Sequence, residues 1–245
     1  MVLSVLGQLT IAITADVHSP RYLDLYSKAL KALNVKPDLF IWAGDMVNKN
    51  NIGSLKPVID VTYNALGDIE IIGIFGNEEY RGYEDRYKKL YSGIKWINDE
   101  HIILERKGLR IGIIGTRGAL DKPTPWQAKN IPGIEEYYRN LPSKIKELAL
   151  SIRNKVDQLI LISHYGVTYR NLYGEPRRIW PYLASRAMEK IIDPRLFNIV
   201  VHGHAHNSVY EKIMINNVPV YNVSLPARKR IILIKISLGI LGFLR

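Results

Sequence analysis

The chain has 245 residues, 47% of them hydrophobic and 23% charged, with a formal net charge of +11 and no cysteine. Its composition is that of a globular protein, and its length suits one large α/β domain. The missing thiols exclude disulfides, thiolate metal sites and cysteine nucleophiles, so any metal must be held by nitrogen and oxygen. The positive balance favours contact with nucleic acid, phosphorylated metabolites or acidic lipid, without choosing among them.

The N-terminal stretch "MVLSVLGQLTIAITADVHS" is apolar but has no Lys or Arg before Arg21. A secretory signal needs a basic start, so the stretch reads as a strand, ending in Asp16 and His18. A helix over 21–34 is predicted next, then the strand "DLFIWAGD" ending in Gly44-Asp45, and a helix over 54–66. The strand "IEIIGIFGNEE" ends in Gly76-Asn77-Glu78-Glu79. "HIILERKGLRIGIIGTRG" reads as two antiparallel strands around Lys107-Gly108, with His101 at the surface where the first of them starts. A helix over 134–154, the strand "DQLILISHYG" ending in Ser163-His164, and a helix over 182–192 come next. "FNIVVHGHAH" is a fifth buried strand, and "SVYEKIMINNVPVYNVS" gives two strands around Asn216-Asn217.

A final strand is predicted from Arg230 to Ile236. The apolar run there is broken by Lys235 and is shorter than the roughly 20 residues that span a bilayer. With no linker, low-complexity segment or internal repeat, residues 1–236 read as a single domain and 237–245 as an apolar tail. That tail could self-associate with a partner subunit or rest on a membrane surface. With neither signal nor transmembrane segment, the expected setting is cytoplasmic.

Near-continuous apolar strands alternating with helices imply βαβ units and sheets covered on both faces. Such sheets place ligands beyond the carboxyl ends of their strands. Five strand ends here bring Asp16, His18, Asp45, Asn77, His164, His204 and His206 towards one edge. Three of the six histidines stand at 202, 204 and 206, around Gly203, where the strand breaks or a ligand approaches the backbone. Residues two apart on an extended chain share a side, so His204 and His206 can converge on one point. Neutral imidazole is the commonest metal ligand.

Asp16-x-His18, Gly44-Asp45, Gly76-Asn77-x-Glu79, His164 and Gly203-His204-x-His206 occur in this order. The set resembles the calcineurin-like metallophosphoesterases, over residues 9 to 236. The resemblance implies an α/β protein built as a four-layer α/β/β/α sandwich with mixed β-sheets, its metal site at the C-terminal ends of the strands. It also implies a metal-dependent phosphoric ester hydrolase with two divalent ions, which roughly 3.5–4 Å apart clamp a phosphoryl oxygen and generate a nucleophile. Asp45 matches the bridging position. The first ion would take Asp16, His18, Asp45 and His206, and the second Asp45, Asn77, His164 and His204. Mn is the first expectation, and Fe, Zn, Co or Ni also suit such ligands. His202 matches no ligand position, which leaves it strand packing or a hydrogen bond behind the ligands.

Asp45, Glu78, Glu79 and His164 are the expected catalytic residues. One of them departs from the pattern: the family has histidine after the asparagine, where this chain has Glu78. A carboxylate there can donate a proton only if burial and Glu79 raise its pKa. Ionised, it would repel phosphate. Alternatively it merely solvates the loop.

In "YGVTYRNLYGEPRRIWPYLASR", Tyr169, Tyr173, Trp180 and Tyr182 interleave with Arg170, Arg177 and Arg178. Aromatics with arginines stack bases and bind phosphates; an exposed lid or core packing is the other reading. "TRGALDKPTPWQAKN" offers a second rim with Arg117, Lys122 and Trp126. Arg117, Arg170, Arg177 and Arg178 are therefore the candidate substrate-binding residues. The expected substrate is a phosphorylated small molecule or nucleotide, with diesters and nucleotides ahead of phosphoproteins. A nuclease acting on nucleic acid is the second reading. A non-catalytic metal-binding module is the third, supported by Glu78 alone, whereas the complete set of ligand positions favours an enzyme.

Overall fold

The computed structural model describes residues 8–237. The predicted apolar tail therefore lies, but for residue 237, outside the described residues. Apolar and β-branched runs form strands β1 Leu9–Thr14, β2 Leu39–Ala43, β3 Ile71–Ile74, β4 Ile94–Trp96, β5 Glu100–Arg106, β6 Leu109–Thr116, β7 Gln158–Ser163, β8 Ile199–His202, β9 Lys212–Ile215, β10 Val218–Asn222 and β11 Ile232–Ile236. The helices are α1 Leu23–Lys31, α2 Leu55–Leu66, α3 Glu84–Leu90, α4 Pro125–Asn130, α5 Ile134–Arg153, α6 Arg186–Glu189 and α7 Leu225–Arg228.

The strands form two mixed sheets, ordered β11-β1-β2-β3-β4 and β5-β6-β7-β8-β10-β9. In the first, β1 to β4 run parallel and β11 is antiparallel to β1. In the second, β6, β7, β8 and β10 are parallel, and hairpins add β5 and β9 at the edges. Lys107 and Gly108 turn one hairpin and Asn216 and Asn217 the other, all four at positive φ, as a two-residue hairpin turn demands.

Register sorts the side chains. Ile13, Ile41 and Ile72 lie side by side in the first sheet, and Ile113, Ile160 and Ile199 in the second. Both rows belong to one core between the sheets. The alternate residues Ala12, Phe40 and Ile71 pack outward against Tyr26 and Leu30 of α1 and Val58 of α2. On the other outer face, Leu159, Leu161 and Val200 meet Tyr138, Leu141, Ile145, Ala149 and Ile152 of α5, whose three-and-four spacing makes one apolar stripe. The result is the expected α/β/β/α sandwich, and burial on both faces explains why its central strands read as unbroken apolar runs.

The helix predicted over 182–192 is replaced by a 3-10 stretch, Arg177–Tyr182, followed by the single turn of α6. Pro181 lacks an amide donor, and Ser185 starts a new turn by accepting from the Met188 N–H. Strand β4 and helices α3, α4 and α7 lie outside the predicted elements; each is too short for periodicity to register. Among the described residues no helix is long and apolar enough to cross a membrane.

Candidate metal centre

Where β1, β2, β3, β7 and β8 end, the chain turns sharply. Asp16, His18, Asp45 and His204 all have positive φ (63°, 44°, 53° and 66°), a left-handed conformation that non-glycine residues adopt at a cost and that clusters at functional sites. Backbone bonds between the turns hold them: Asp16 N to Gly44 O (3.0 Å), His18 N to Asp45 O (2.9 Å) and Gly203 N to His164 O (3.1 Å). Two glycines permit the close approach. A Cβ on Gly44 would lie 2.7 Å from both Gly76 N and His164 Nδ1, and one on Gly76 would run into the Asp45 carboxylate and amide.

The turns gather two groups of ligand-type side chains, Asp16, His18 and His206 in one and Asp45, His164 and His204 in the other, each with its atoms within 4.8 Å of one another. In the first, His206 Nε2 is 3.3 Å from Asp16 Oδ1, and His18 Nε2 is 3.9 Å from it. In the second, His164 Nε2 is 3.3 Å from Asp45 Oδ2 and 3.1 Å from Asn77 Oδ1. Asp45 Oδ2 also lies 3.8 Å from His18 Nε2, so this carboxylate stands between the groups. The chain leaves the extended conformation at His204, so His204 and His206 do not converge on one point but serve different groups.

The His164 ring is oriented from behind. His164 Nδ1–H donates to the Ala43 carbonyl (3.0 Å), which turns Nε2 towards Asp45 and Asn77. Burial lowers the His164 pKa, but the Asp45 carboxylate outweighs it and raises the ring to about 9; a metal at Nε2 would displace that proton. Burial pushes His204 down to about 3 and His202 down to about 4, so both are neutral. Burial raises Asp16, yet the pull of His206 leaves it below the usual carboxylate range. Asp45 is likewise lowered, His164 overcoming its burial. Asp16 Oδ1 and His204 Nδ1 are buried without a hydrogen-bond partner. A cation would satisfy such atoms, so the residues present fit metal ions held by nitrogen and oxygen.

His202 is buried behind this set. Its Nδ1–H donates to the Gly203 carbonyl (2.7 Å), and Nε2 accepts from Asn171 Nδ2 (2.6 Å), tying the histidine turn to the loop after β7.

The expected catalytic carboxylates are placed differently. Glu79 is fully buried, and its oxygens accept from four backbone N–H groups, those of Asp45, Met46, Val47 and Gly76, at 2.7–3.2 Å. Burial and the Asp45 charge push it up to about 7, against these donors, which favour the ionised form. Four backbone donors thus tie Glu79 to the turns that carry Asp45 and Asn77. Glu78 donates its backbone N–H to Asp45 Oδ1 (2.7 Å), and its carboxylate accepts from the Lys49 amide and approaches Asn77 Nδ2 (3.5 Å).

Arg117, expected on the substrate rim, is among the residues lining the cavity beside the second group and is itself buried beneath the Gly76–Glu79 loop. It donates to the carbonyls of Gly76 and Glu79 and to Glu84 Oε1, because a loop of consecutive carbonyls inside the protein needs a multi-donor partner. Arg170 pairs with Glu189 at 2.8 Å. Arg177 lies over the Trp180 ring (5.7 Å), and Arg178 is exposed. Their loop packs on the segment after His206, through Glu175 to the Asn207 amide (2.7 Å) and Tyr173 against Tyr210. His101 is exposed.

A cavity of about 470 Å³ opens beside the second group, lined by Asn77, Glu78 and His204 and by Tyr80, Arg81 and Trp126. Tyr80 and Arg81 escaped the sequence analysis because no spacing marks them. A neighbouring cavity of about 570 Å³, around Asp121, Lys122 and Arg139, touches no candidate ligand.

A four-layer sandwich with nitrogen and oxygen ligands gathered at the carboxyl edge of its strands defines a candidate metal centre on an α/β/β/α fold. Residues 9–208 match the family model of calcineurin-like phosphoesterases, and the chain belongs to that family. Among solved structures it is similar to the phosphopantetheinyl hydrolase PptH of Mycobacterium tuberculosis, at 12% identity and a TM-score of 0.62 over 92% of each chain. It is also similar to the NAD nucleotidase of Haemophilus influenzae (15% identity, TM-score 0.59, 94% of this chain and 48% of that one). A third is a putative 5′-nucleotidase of Staphylococcus aureus (13%, 0.58, 88% and 48%). The chain thus spans about half the length of the two nucleotidases, and at these identities the likeness is one of fold. No curated protein sequence matches.

Proposed function

We propose that the protein is a dinuclear metal-dependent phosphoesterase acting on phosphodiester or nucleotide substrates. The observation behind this reading is the pair of adjoining ligand groups with the Asp45 carboxylate between them. Asp16, His18, Asp45 and His206 would hold one divalent ion and Asp45, Asn77, His164 and His204 the other, with Mn ahead of Fe, Zn, Co and Ni. Bound there, the ions supply Lewis-acid polarisation of the phosphoryl group and an activated water. The protein's own part is positional. Ala43 fixes the His164 tautomer, Glu79 and Arg117 fix the loop bearing Asn77, and Glu78 ties that loop to Lys49. The nucleotide preference is supported by the aromatic cavity and by the substrates named for two structural neighbours.

Purified protein should take up close to two equivalents of Mn or Zn in calorimetry and elemental analysis. With metal it should hydrolyse members of a panel of monoesters, diesters and cyclic nucleotides. One weakly held ion would sink the dinuclear reading, and no turnover with any metal would sink the enzyme.

One observation favours action on longer nucleic acid. Arg177 and Arg178 are exposed beside the half-exposed Tyr173, on a chain of net charge +11. Replacing both arginines with alanine should raise KM for an oligonucleotide more than it lowers kcat. The salt dependence of binding should fall by roughly one to two in slope. A mononucleotide should be unaffected. If oligonucleotide kinetics are also unchanged, the loop has no part in substrate binding.

A further inference from the structure

We infer that the cavity beside Asn77 and His204 is a base-reading site: it takes the planar heteroaromatic group of a nucleotide, stacked on Trp126 and Tyr80, with Arg81 donating to an acceptor on its edge. This rests on the phosphoesterase reading and names the part of the substrate that the metal centre does not hold.

The cavity has about 470 Å³, within the roughly 300–1,000 Å³ range of small-molecule sites. Most of its polar lining is already committed to building the wall. Thr124 and Gln127 close a capping box at the start of α4, Gln127 Nε2 donates to the Tyr165 hydroxyl (2.8 Å), and Asn130 Nδ2 donates to the Trp126 carbonyl (2.8 Å). These bonds make α4 a rigid mount for one ring. Trp126 is 57% exposed, a large apolar surface left open at the mouth of a cavity instead of in the core. Its neighbour Tyr80 is 6.0 Å away between ring centroids, tilted by 38°, so neither ring is covered face to face by the other.

Polarity narrows the occupant further. The Arg81 guanidinium is pinned over the Tyr137 ring at 4.2 Å, yet its Nη2 is buried with no hydrogen-bond partner. Arginine only donates, so the missing partner is an acceptor: a carbonyl oxygen or ring nitrogen of the ligand. An aliphatic group would leave this donor unsatisfied at a cost. A second phosphate would be drawn to Arg81 and Arg117 but would also meet the Glu78 carboxylate, all three in the lining of this cavity. A neutral ring whose edge offers both acceptors and N–H donors suits Arg81 and Glu78 together, as nucleobase edges do.

The test is binding to the Mn-loaded protein, measured by calorimetry. The probes are uncleavable methylene-phosphonate analogues of adenosine and guanosine 5′-monophosphate, against the corresponding analogue of ribose 5-phosphate. At least one nucleotide analogue should bind about tenfold tighter than the base-free sugar, as base–aromatic stacking allows. Trp126→Ala should erase most of that difference and leave the sugar's affinity unchanged; Trp126 is exposed enough for the variant to fold. Arg81→Lys should weaken the nucleotide analogue alone. Equal affinity for nucleotide and sugar, or a difference that survives Trp126→Ala, overturns the inference. Its failure is separable from that of the enzyme reading. Hydrolysis of esters with no base preference leaves the phosphoesterase standing without this site. Base-dependent binding lost in Trp126→Ala, without turnover of any ester, keeps the site and removes the enzyme.

Discussion

Asp45→Asn is expected to cut phosphate-ester hydrolysis by roughly a thousandfold or more, given the several kcal/mol that metal ions contribute to such transition states. It should also weaken both metal sites at once. The carboxylate lies 3.3 Å from His164 Nε2 and 3.8 Å from His18 Nε2, and under the proposed dinuclear reading its charge would offset the repulsion between two cations. Asparagine keeps the shape and an acceptor for the Glu78 amide. It also tolerates the positive φ of 53° at this position. The metal-free variant should therefore fold, with a melting temperature close to that of the parent. Substituting a ligand that belongs to one group alone, such as His18, should spare the other group. Calorimetric titration with Mn would distinguish the cases, and an Asp45→Asn protein that still holds two ions tightly would show that Asp45 does not bridge.

The fold was legible where strands are buried on both faces, because unbroken runs such as Leu39–Ala43 and Gln158–Ser163 leave no other home for their side chains. Their division between two sheets was not legible from the residues alone. Ile41 and Ile160 look alike in sequence, and only register puts them in opposite layers facing one core. The candidate ligands were legible for a related reason: a polar residue closing an apolar strand has few structural excuses, and five such endings share an edge. Spacing misled at His204. Alternation implies a common side on an extended chain, but a left-handed residue there sends His204 and His206 to different groups.

The supporting residues were the hardest to read. The burial of Arg117 was not legible, because an arginine after a strand has no local signature that separates surface from interior. Its partners, the carbonyls of Gly76 and Glu79, lie some forty positions earlier in the chain. Glu78 raised a question of acid catalysis that sequence could not answer, since the Lys49 amide that engages its carboxylate belongs to another turn. Tyr80, Arg81 and Trp126 come together through the approach of the loop after β3 to helix α4, which no periodicity encodes.

Glu79→Ala should destabilise the protein by about 4 kcal/mol or more, on the order of 1–3 kcal/mol for each buried donor left unpaired and with some relief from entering water. Against a typical total of about 5–15 kcal/mol, that is a severe loss, readable as a shifted midpoint in urea. The four amides of Asp45, Met46, Val47 and Gly76 converge on this one carboxylate, so its removal also frees the turn that places Asp45 and Asn77. Metal affinity should fall with stability. Glu79→Gln discriminates between positioning and proton transfer. Its single carbonyl can satisfy two of the four amides, while its NH₂ group faces the other two donors, so it too should lower stability and metal affinity, by less than alanine does. A proton carrier would behave otherwise: Glu79→Gln would abolish turnover while the unfolding midpoint and the Mn titration stayed at parent values. That result would return Glu79 to the chemistry. The geometry favours the first outcome, because both oxygens are already occupied as acceptors and neither is left to hand a proton to a substrate.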